Sequence, residues 1–121
     1  MDIDRKAIRR QYKESARPAG LFAVRNTTDG ATLIGTSVDL PAMLNRQRFQ
    51  LEMGGHPDKV LQADWKRLGP DAFRFEVLDE LPPPTDPGQD VRADLETLRD
   101  MWLQKLAAEG RPLYPSSTPR R

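Results

Sequence analysis

Two short apolar runs joined by a turn are the feature that most constrains the fold of this chain. Residues 21–25 and 31–35 each have the composition of a short β-strand, and residues 26–30 between them end in Asp29-Gly30. Asp-Gly between two such runs is a strong hairpin signal, because both residues tolerate the left-handed backbone of a tight turn. The sequence therefore predicts an antiparallel hairpin within the first third of the chain.

Helical and strand patterns alternate after the hairpin. Asp39 is a predicted N-cap, and Gly54-Gly55 a predicted stop, for a helix whose apolar residues recur every three or four positions. A proline-rich stretch, residues 82–88, is predicted to be a loop before the last helix. The patterns after the hairpin predict helices at about 39–53, 57–68 and 90–109, with a strand over residues 72–78.

The two ends of the chain are predicted to differ from its middle. Residues 1–17 set apolar side chains such as Ile3 and Ile8 against a row of Arg and Lys, which is typical of an amphipathic basic helix. Residues 115–121 have no periodic pattern and are predicted to be a flexible tail. Tyr114 is expected to anchor the segment after the last helix. The predicted parts are therefore residues 1–17, 18–114 and 115–121.

Composition limits the chemistry that the chain can perform. With 121 residues the chain is long enough for one core, and without cysteine it has no disulfide, thiolate zinc site or cysteine nucleophile. The net charge of +1 means that binding to a polyanion depends on where the cations lie. No apolar run approaches the roughly 20 residues of a membrane span. The amino terminus lacks the apolar core of a signal peptide, so we expect a cytoplasmic protein outside the membrane.

Two motifs, Gly20-Leu21-Phe22 and Leu33-Ile34-Gly35, lie on the strands of the predicted hairpin, with ten residues between them. These motifs, residues 56–65, the strand that includes Phe75, and Met101-Trp102-Leu103 together resemble the GIY-YIG endonuclease superfamily. The resemblance covers roughly residues 18–114. It implies an α+β fold in which a small central three-stranded antiparallel sheet is flanked by helices, here with an added N-terminal helix.

The same resemblance implies that the catalytic groups are missing. Active members of the superfamily are expected to cleave a phosphodiester with one divalent metal, two tyrosines, an arginine, a glutamate and an asparagine. Phe22 and Leu33 stand at the tyrosine positions and have no oxygen to activate water or contact phosphate. Met43 stands where the arginine stabilises charge, and Arg99 where the glutamate holds the metal. Pro115 stands at or near the position of the asparagine.

Three functions follow from this resemblance. The first is a catalytically degenerate nuclease-like domain that binds nucleic acid, with DNA as the first candidate, and does not cleave it. The second is a protein-interaction or homodimer module that uses residues 2–15 or the apolar former active site. The third is a weak Mg²⁺-dependent endonuclease in which Glu96, or Asp100 close to it, holds the metal. Only the third function requires a cofactor.

The cations expected to contact phosphates lie at the end of the first predicted strand and on the next two helices. Arg25, Arg46 and Arg48 are expected to flank the former substrate cleft. His56, the only histidine, sits in a Gly-Gly-His-Pro turn, so we expect a turn or capping role rather than catalysis. The predicted nucleic-acid contacts are Arg25, Arg46, Arg48, Lys59 and Arg67.

Overall fold

The computed structural model describes residues 18–83 and 88–117. Within them, a three-stranded antiparallel sheet has the order β2-β1-β3, so the first strand is central. This confirms the predicted α+β fold, while the predicted N-terminal helix lies outside the described residues. The strands are β1 (Gly20–Asn26), β2 (Thr32–Ser37) and β3 (Phe73–Glu80), and the helices are α1 (Leu40–Met53), α2 (Lys59–Leu68) and α3 (Val91–Ala108).

A tight turn joins β1 to β2, as predicted, and its own side chains hold it. The Asn26 N–H donates to the Ala31 carbonyl at 2.8 Å, and Asn26 Oδ1 accepts from the Thr28 N–H at 2.9 Å. Asp29 Oδ1 accepts from the Ala31 N–H at 2.9 Å. Gly30 has a φ of +81°, in the region that favours glycine. The turn is therefore determined locally, by residues within a few positions of one another.

The predicted ends of α1 are confirmed. Asp39 Oδ1 accepts from the Ala42 N–H at 3.2 Å, which satisfies one of the free donors at the start of the helix. Gly54 follows the last helical residue with a φ of +82° and so ends the helix in the left-handed conformation.

The second helix begins slightly later than its sequence pattern predicts. Asp58 Oδ1 accepts from the backbone N–H groups of Val60 and Leu61, each at 3.1 Å. The first helical residue is therefore Lys59 rather than Pro57, because the carboxylate of Asp58 supplies the cap.

Helices pack on both faces of the sheet. Side chains alternate along a strand, so Phe22 and Val24 of β1 face α1 and α2, whereas Leu21 faces α3. Trp65 of α2 lies against Phe73 of β3, with ring centroids 5.3 Å apart. Two apolar cores result, one on each face, and the wider one lies under α1 and α2.

The segment after α3 lies along the edge of β2 that is not paired with β1. The Thr32 N–H donates to the Pro112 carbonyl at 3.1 Å, and the Thr32 carbonyl accepts from the Tyr114 N–H at 2.9 Å. Residues 115–117 then form a 3₁₀ turn, and Ser117 is fully buried. The prediction of a flexible tail is therefore wrong for residues 115–117, because they form this turn and pack against the sheet. The last four residues lie outside the described part of the chain.

The last helix, α3, is the longest described helix and buries only a narrow stripe. Leu95, Leu103 and Leu106 are its buried residues, and Asp90 caps it by accepting from the Ala93 N–H at 3.1 Å. Charged and polar side chains occupy much of the rest of its surface. Among the described helices, none has both the length and the hydropathy to cross a membrane.

Candidate functional site

An open pocket of about 270 Å³ lies between the hairpin, α1 and the segment that leads into α2. It contains Phe22 and Leu33, so the fold brings together the two positions where the resemblance implies tyrosines. Its lining residues are Phe22, Leu33, Ile34, Gly35, Gln47, His56, Pro57, Asp58 and Ser116.

The hairpin side of the pocket is apolar. Phe22 of β1 pairs with Gly35 of β2, and its ring lies across that glycine, where an added Cβ would be 2.5 Å from the ring Cζ. Phe22 and Leu33 are nearly fully buried, with exposed fractions of 4% and 5%. Neither side chain has an oxygen or nitrogen, so these two positions supply no general base and no phosphate ligand.

A buried histidine on the opposite wall is fully hydrogen-bonded. His56 Nδ1 accepts from the Asp58 backbone N–H at 2.9 Å, so Nε2 carries the proton and donates to Gln47 Oε1 at 2.6 Å. Burial lowers the pKa of His56, and the nearby carboxylate of Asp58 offsets this only in part. Both ring nitrogens are occupied in the neutral form. The histidine therefore stabilises the turn before α2, in line with the role expected from the sequence.

The carboxylate of Asp58 connects α2 to the end of the described chain. While Oδ1 caps the helix, Oδ2 accepts from the Ser116 N–H at 3.0 Å and from the Ser116 hydroxyl at 2.6 Å. Burial raises the pKa of Asp58, but the hydrogen bonds from Ser116, Leu61 and Val60 outweigh it, and the pKa is lowered overall. Asp58 is thus an ionised, internally bonded carboxylate that holds the pocket wall together.

Three polar residues of the pocket wall were not identified as site residues from the sequence. A sequence clue existed for Gln47, because it is a polar residue on the otherwise apolar stripe of α1. In the structure its amide donates to the sulfur of Met43, one turn earlier, at 3.5 Å. A second clue existed for Asp58, because it stands in front of a helical pattern as a capping residue. No sequence clue existed for Ser116, because its partner, Asp58, is 58 positions away in the chain.

The position that the resemblance gives to the metal ligand carries a bonded cation. Arg99 of α3 is partly buried, and its Nη2 donates to the Ser117 carbonyl at 3.2 Å. Glu96 and Asp100, the substitute ligands considered from the sequence, are exposed on α3. Among residues 18–83 and 88–117, no three His, Cys, Asp or Glu side chains gather closely enough to hold a metal ion. The position itself therefore supplies a guanidinium rather than a carboxylate.

Arg25 lies on the face of the sheet opposite the pocket, so the expectation that it flanks the former cleft is wrong. It is three residues from Phe22 along β1, and alternation sends the two side chains to opposite faces. Its Nη2 bonds Glu76 Oε1 at 2.7 Å, and it lines a separate cavity of about 320 Å³ beside Trp102 and Lys105 of α3. Strand alternation would have given this answer from the sequence.

The other predicted contact residues are exposed but dispersed. Three of them, Arg46, Arg48 and Lys59, stand next in sequence to a residue that lines the pocket. Arg48 lies about 200° around α1 from Arg46, and its guanidinium stacks over the Phe75 ring at 4.6 Å. Arg67 pairs at 3.0 Å with a carboxylate one turn earlier in α2. None of these four side chains therefore lines the pocket.

Tyr114 anchors the segment after α3, as expected from the sequence. Its hydroxyl donates to Asp64 Oδ2 at 2.8 Å and accepts from Asn26 Nδ2 at 3.2 Å. Burial raises the pKa of Tyr114, and the hydrogen bond that its hydroxyl donates lowers the pKa of Asp64. The phenol is therefore neutral and occupied by two structural hydrogen bonds, which makes it a poor substitute for a catalytic tyrosine.

Comparisons with known proteins identify solved structures that have a similar fold. Neither a family model nor a curated protein matches this chain. The structure is similar to the catalytic domain of homing endonuclease I-TevI, with a TM-score of 0.62 and 21% identity, over 79% of this chain and 95% of that one. A mutant catalytic domain of intron endonuclease I-TevI gives a TM-score of 0.63 and 19% identity, over 86% and 99% of the two chains. The fold is therefore GIY-YIG-like, as the resemblance implied.

Proposed function

We propose that this GIY-YIG-like domain binds nucleic acid, DNA in the first instance, without cleaving it. The observation that carries the proposal is the pocket between the hairpin and α1, where the two tyrosine positions are filled by buried apolar side chains. A fold of this kind that lacks its reacting groups can still present cations to phosphates.

The proposed loss of phosphodiester cleavage rests on several positions at once. Phe22 and Leu33 cannot activate water, Met43 cannot stabilise a negative charge, and Arg99 would repel a metal ion. Removing a single catalytic group typically costs orders of magnitude in rate, and groups that act as a unit do not compensate for one another. We therefore expect no Mg²⁺-dependent nicking by the wild-type domain.

The outer surface of α1 and α2 supports the binding part of the proposal. Two of the carboxylates in this region, Asp58 and Asp64, are engaged with Ser116 and Tyr114. The outer side of α3 is less suited to phosphates, because the carboxylates of Glu96 and Asp100 are exposed there. Contacts to phosphates are therefore expected on the α1 and α2 side, without reading of base sequence. The exposed cations on that side are Arg46, Arg48, Lys59, Lys66 and Arg67.

The proposal is tested by titrating the protein into supercoiled plasmid on a native gel, with and without Mg²⁺. Retardation that is steeply weakened by salt, with no nicked product in either condition, is the expected result. Nicking that requires Mg²⁺ and survives further purification would contradict the loss of catalysis. A plasmid that stays unshifted at high protein concentration would contradict binding to DNA.

A charge variant makes the binding test specific to one surface. Arg46→Ala should weaken plasmid retardation and lower the slope of log K against log salt concentration by about one, because one phosphate contact is lost. Arg92→Ala is the matched control, since Arg92 is also exposed but lies on α3. Equal effects of the two substitutions would show that the binding follows overall charge rather than the α1 and α2 surface.

A second candidate function, a protein-interaction module, is favoured by one observation. Two large apolar side chains, Phe49 and Met53, are exposed on α1, with exposed fractions of 61% and 70%. If the domain is such a module, its mass should depend on concentration or it should bind another protein. It should not retard plasmid DNA. Analytical ultracentrifugation beside the plasmid gel therefore separates the two candidate functions.

A further inference from the structure

A cleft separates the last turns of α3 from part of the sheet. Leu103 and Leu106 of α3 pack with Leu21 and Ile34 of the hairpin, and beside this contact a cavity of about 320 Å³ remains. We call this cavity the α3 cleft. All three strands and the segment after α3 contribute to its lining. It lies on the face of the sheet opposite the pocket that contains Phe22 and Leu33.

The floor of the α3 cleft is apolar, and an aromatic side chain forms part of its wall. Ala23, Leu78 and Leu106 line the cleft together with Trp102. The indole Nε1 of Trp102 donates to Asp79 Oδ2 at 3.0 Å, which holds the ring in place. Small-molecule sites are mostly apolar, with a few polar groups, and occupy roughly 300–1,000 Å³. The cleft is at the small end of that range, so it suits a single small molecule.

The charged side chains of the α3 cleft contain one more cation than carboxylates. Arg25 pairs with Glu76 at 2.7 Å, and Arg111 pairs with Glu109 at 3.5 Å. The fifth charged residue, Lys105, has no carboxylate partner among residues 18–83 and 88–117. Its ammonium lies over the Trp102 ring, 4.6 Å from the ring centroid. The cleft is therefore one negative charge short, and the cation that lacks a counter-ion stands beside its aromatic wall.

Arg25 adds an unused hydrogen-bond donor to the cleft. Its Nη2 donates to Glu76, but within the described part of the chain its Nε is buried without a hydrogen-bond partner. Buried donors are nearly always paired, because an unpaired one loses its bond to water. A rotation of the guanidinium, whose side chain is 35% exposed, would offer Nε and an Nη group side by side to one anion.

A ligand that matches this lining combines three chemical features. It carries an anion for Lys105 and Arg25, a flat apolar body for the floor beside Trp102, and N–H groups that the carboxylates of Glu76 and Glu109 can accept. A nucleoside monophosphate has all three, since its phosphate is anionic, its base is flat, and the base edge carries N–H donors.

We propose that the α3 cleft binds a nucleoside monophosphate, either as a free nucleotide or as the phosphorylated end of a nucleic-acid strand. The phosphate lies at Lys105 and Arg25, and the base lies on the apolar floor. The cleft is separate from the cations of α1 and α2, so this proposal does not depend on plasmid binding by that surface.

Isothermal titration calorimetry of the full chain with AMP, adenosine and inorganic phosphate tests the proposal. AMP should bind at least about tenfold more tightly than adenosine or inorganic phosphate, because each fragment makes only part of the contacts. Equal affinities for AMP and inorganic phosphate would overturn the proposal, since the apolar floor would then contribute nothing. Absence of binding by AMP, GMP, CMP and UMP at millimolar concentration would also overturn it.

Two variants assign the binding to the α3 cleft. Lys105→Ala should weaken AMP binding about tenfold, because a charge-assisted hydrogen bond to the phosphate is lost. Lys66→Ala is the matched control, since Lys66 is also an exposed helical lysine but lies on α2. Arg25→Lys keeps the positive charge and removes the planar fork, so it should weaken AMP binding as well. An affinity that neither cleft variant changes, or that Lys66→Ala lowers equally, would overturn the proposal.

A 5′-phosphorylated trinucleotide distinguishes the two sources of the ligand. Affinity equal to that of AMP would show that the cleft takes the end of a strand, and much weaker binding would show that it takes the free nucleotide. Supercoiled plasmid has no strand ends, so Lys105→Ala should leave plasmid retardation unchanged. The nucleotide titration and the plasmid gel therefore test the cleft and the α1 and α2 surface separately.

Discussion

At the scale of single residues, packing explains the glycines of the two motifs. A Cβ on Gly20 would collide with the carbonyl oxygen of Asp79 on the neighbouring strand, and a Cβ on Gly35 would meet the ring of Phe22. These close approaches belong to the sheet and need no catalytic residue. Packing in the sheet therefore accounts for both glycines, whatever the chemistry of the neighbouring Phe22 and Leu33.

Gly35→Ala should destabilise the domain by about 1–3 kcal/mol, because the added methyl group lies 2.5 Å from the Phe22 Cζ and must displace a packed ring. The free energy of unfolding, measured by urea denaturation, gives the comparison. Gly55→Ala is the control, since its Cβ would have no neighbour within 4 Å. Similar losses for the two substitutions would show that the ring does not restrict this position.

At the scale of elements, the carboxyl-terminal segment completes the sheet. It covers the free edge of β2 and inserts Ser117, whose hydroxyl accepts from the Ile34 N–H at 2.7 Å and donates to the Thr32 carbonyl at 3.2 Å. An uncovered edge strand would leave backbone groups available for pairing with other chains. The segment after α3 is therefore part of the folded domain as far as residue 117.

Ser117→Ala should lower the free energy of unfolding by about 1–3 kcal/mol, because it leaves the buried Ile34 N–H without an acceptor. Thr97→Ala removes a hydroxyl as well, but Thr97 is exposed on α3 and its hydroxyl donates to the Ala93 carbonyl of its own helix. We expect that control to change stability by no more than about 0.5 kcal/mol. A Ser117→Ala variant as stable as Thr97→Ala would contradict the structural role of the segment.

At the scale of the whole molecule, buried titratable groups limit the pH range of stability. The pKa values of His56, Asp58 and Asp64 are lowered on folding, so the unfolded chain binds protons more readily at acid pH. The pKa of Tyr114 is raised, so its contribution is complete below about pH 10 and is lost as the pH rises further. Stability should therefore decline at both acid and alkaline pH.

The histidine gives the first part of the acid decline. The contribution of His56 is complete above its unfolded pKa, near 6.5, and is lost as the pH falls towards the lower folded value. We expect the free energy of unfolding to fall between pH 7.5 and 5, by at most about 1.4 kcal/mol per pH unit for one proton. In His56→Gln, the free energy of unfolding should change little between pH 7.5 and 5. It should still fall below about pH 4, where Asp58 and Asp64 take up protons. A wild-type profile that is already flat from pH 7.5 to 5 would exclude the histidine as its source.

The sequence by itself determined the features that depend on neighbours a few positions apart. Asp29-Gly30 encodes the hairpin turn, and Asp39 and Gly54 set the ends of α1. The identities of Phe22 and Leu33 also fix that no oxygen or nitrogen stands on these two side chains. Strand alternation also encoded the face occupied by Arg25.

Only the tertiary structure decided which distant groups meet. Ser117 bonds Ile34 across 83 positions, and Ser116 bonds Asp58 across 58. No local pattern marks either serine, because a hydroxyl near a chain end can pair with any buried donor or acceptor that the fold brings to it. Which pair forms depends on how the helices and the sheet close around both cores, and that is a property of the whole chain.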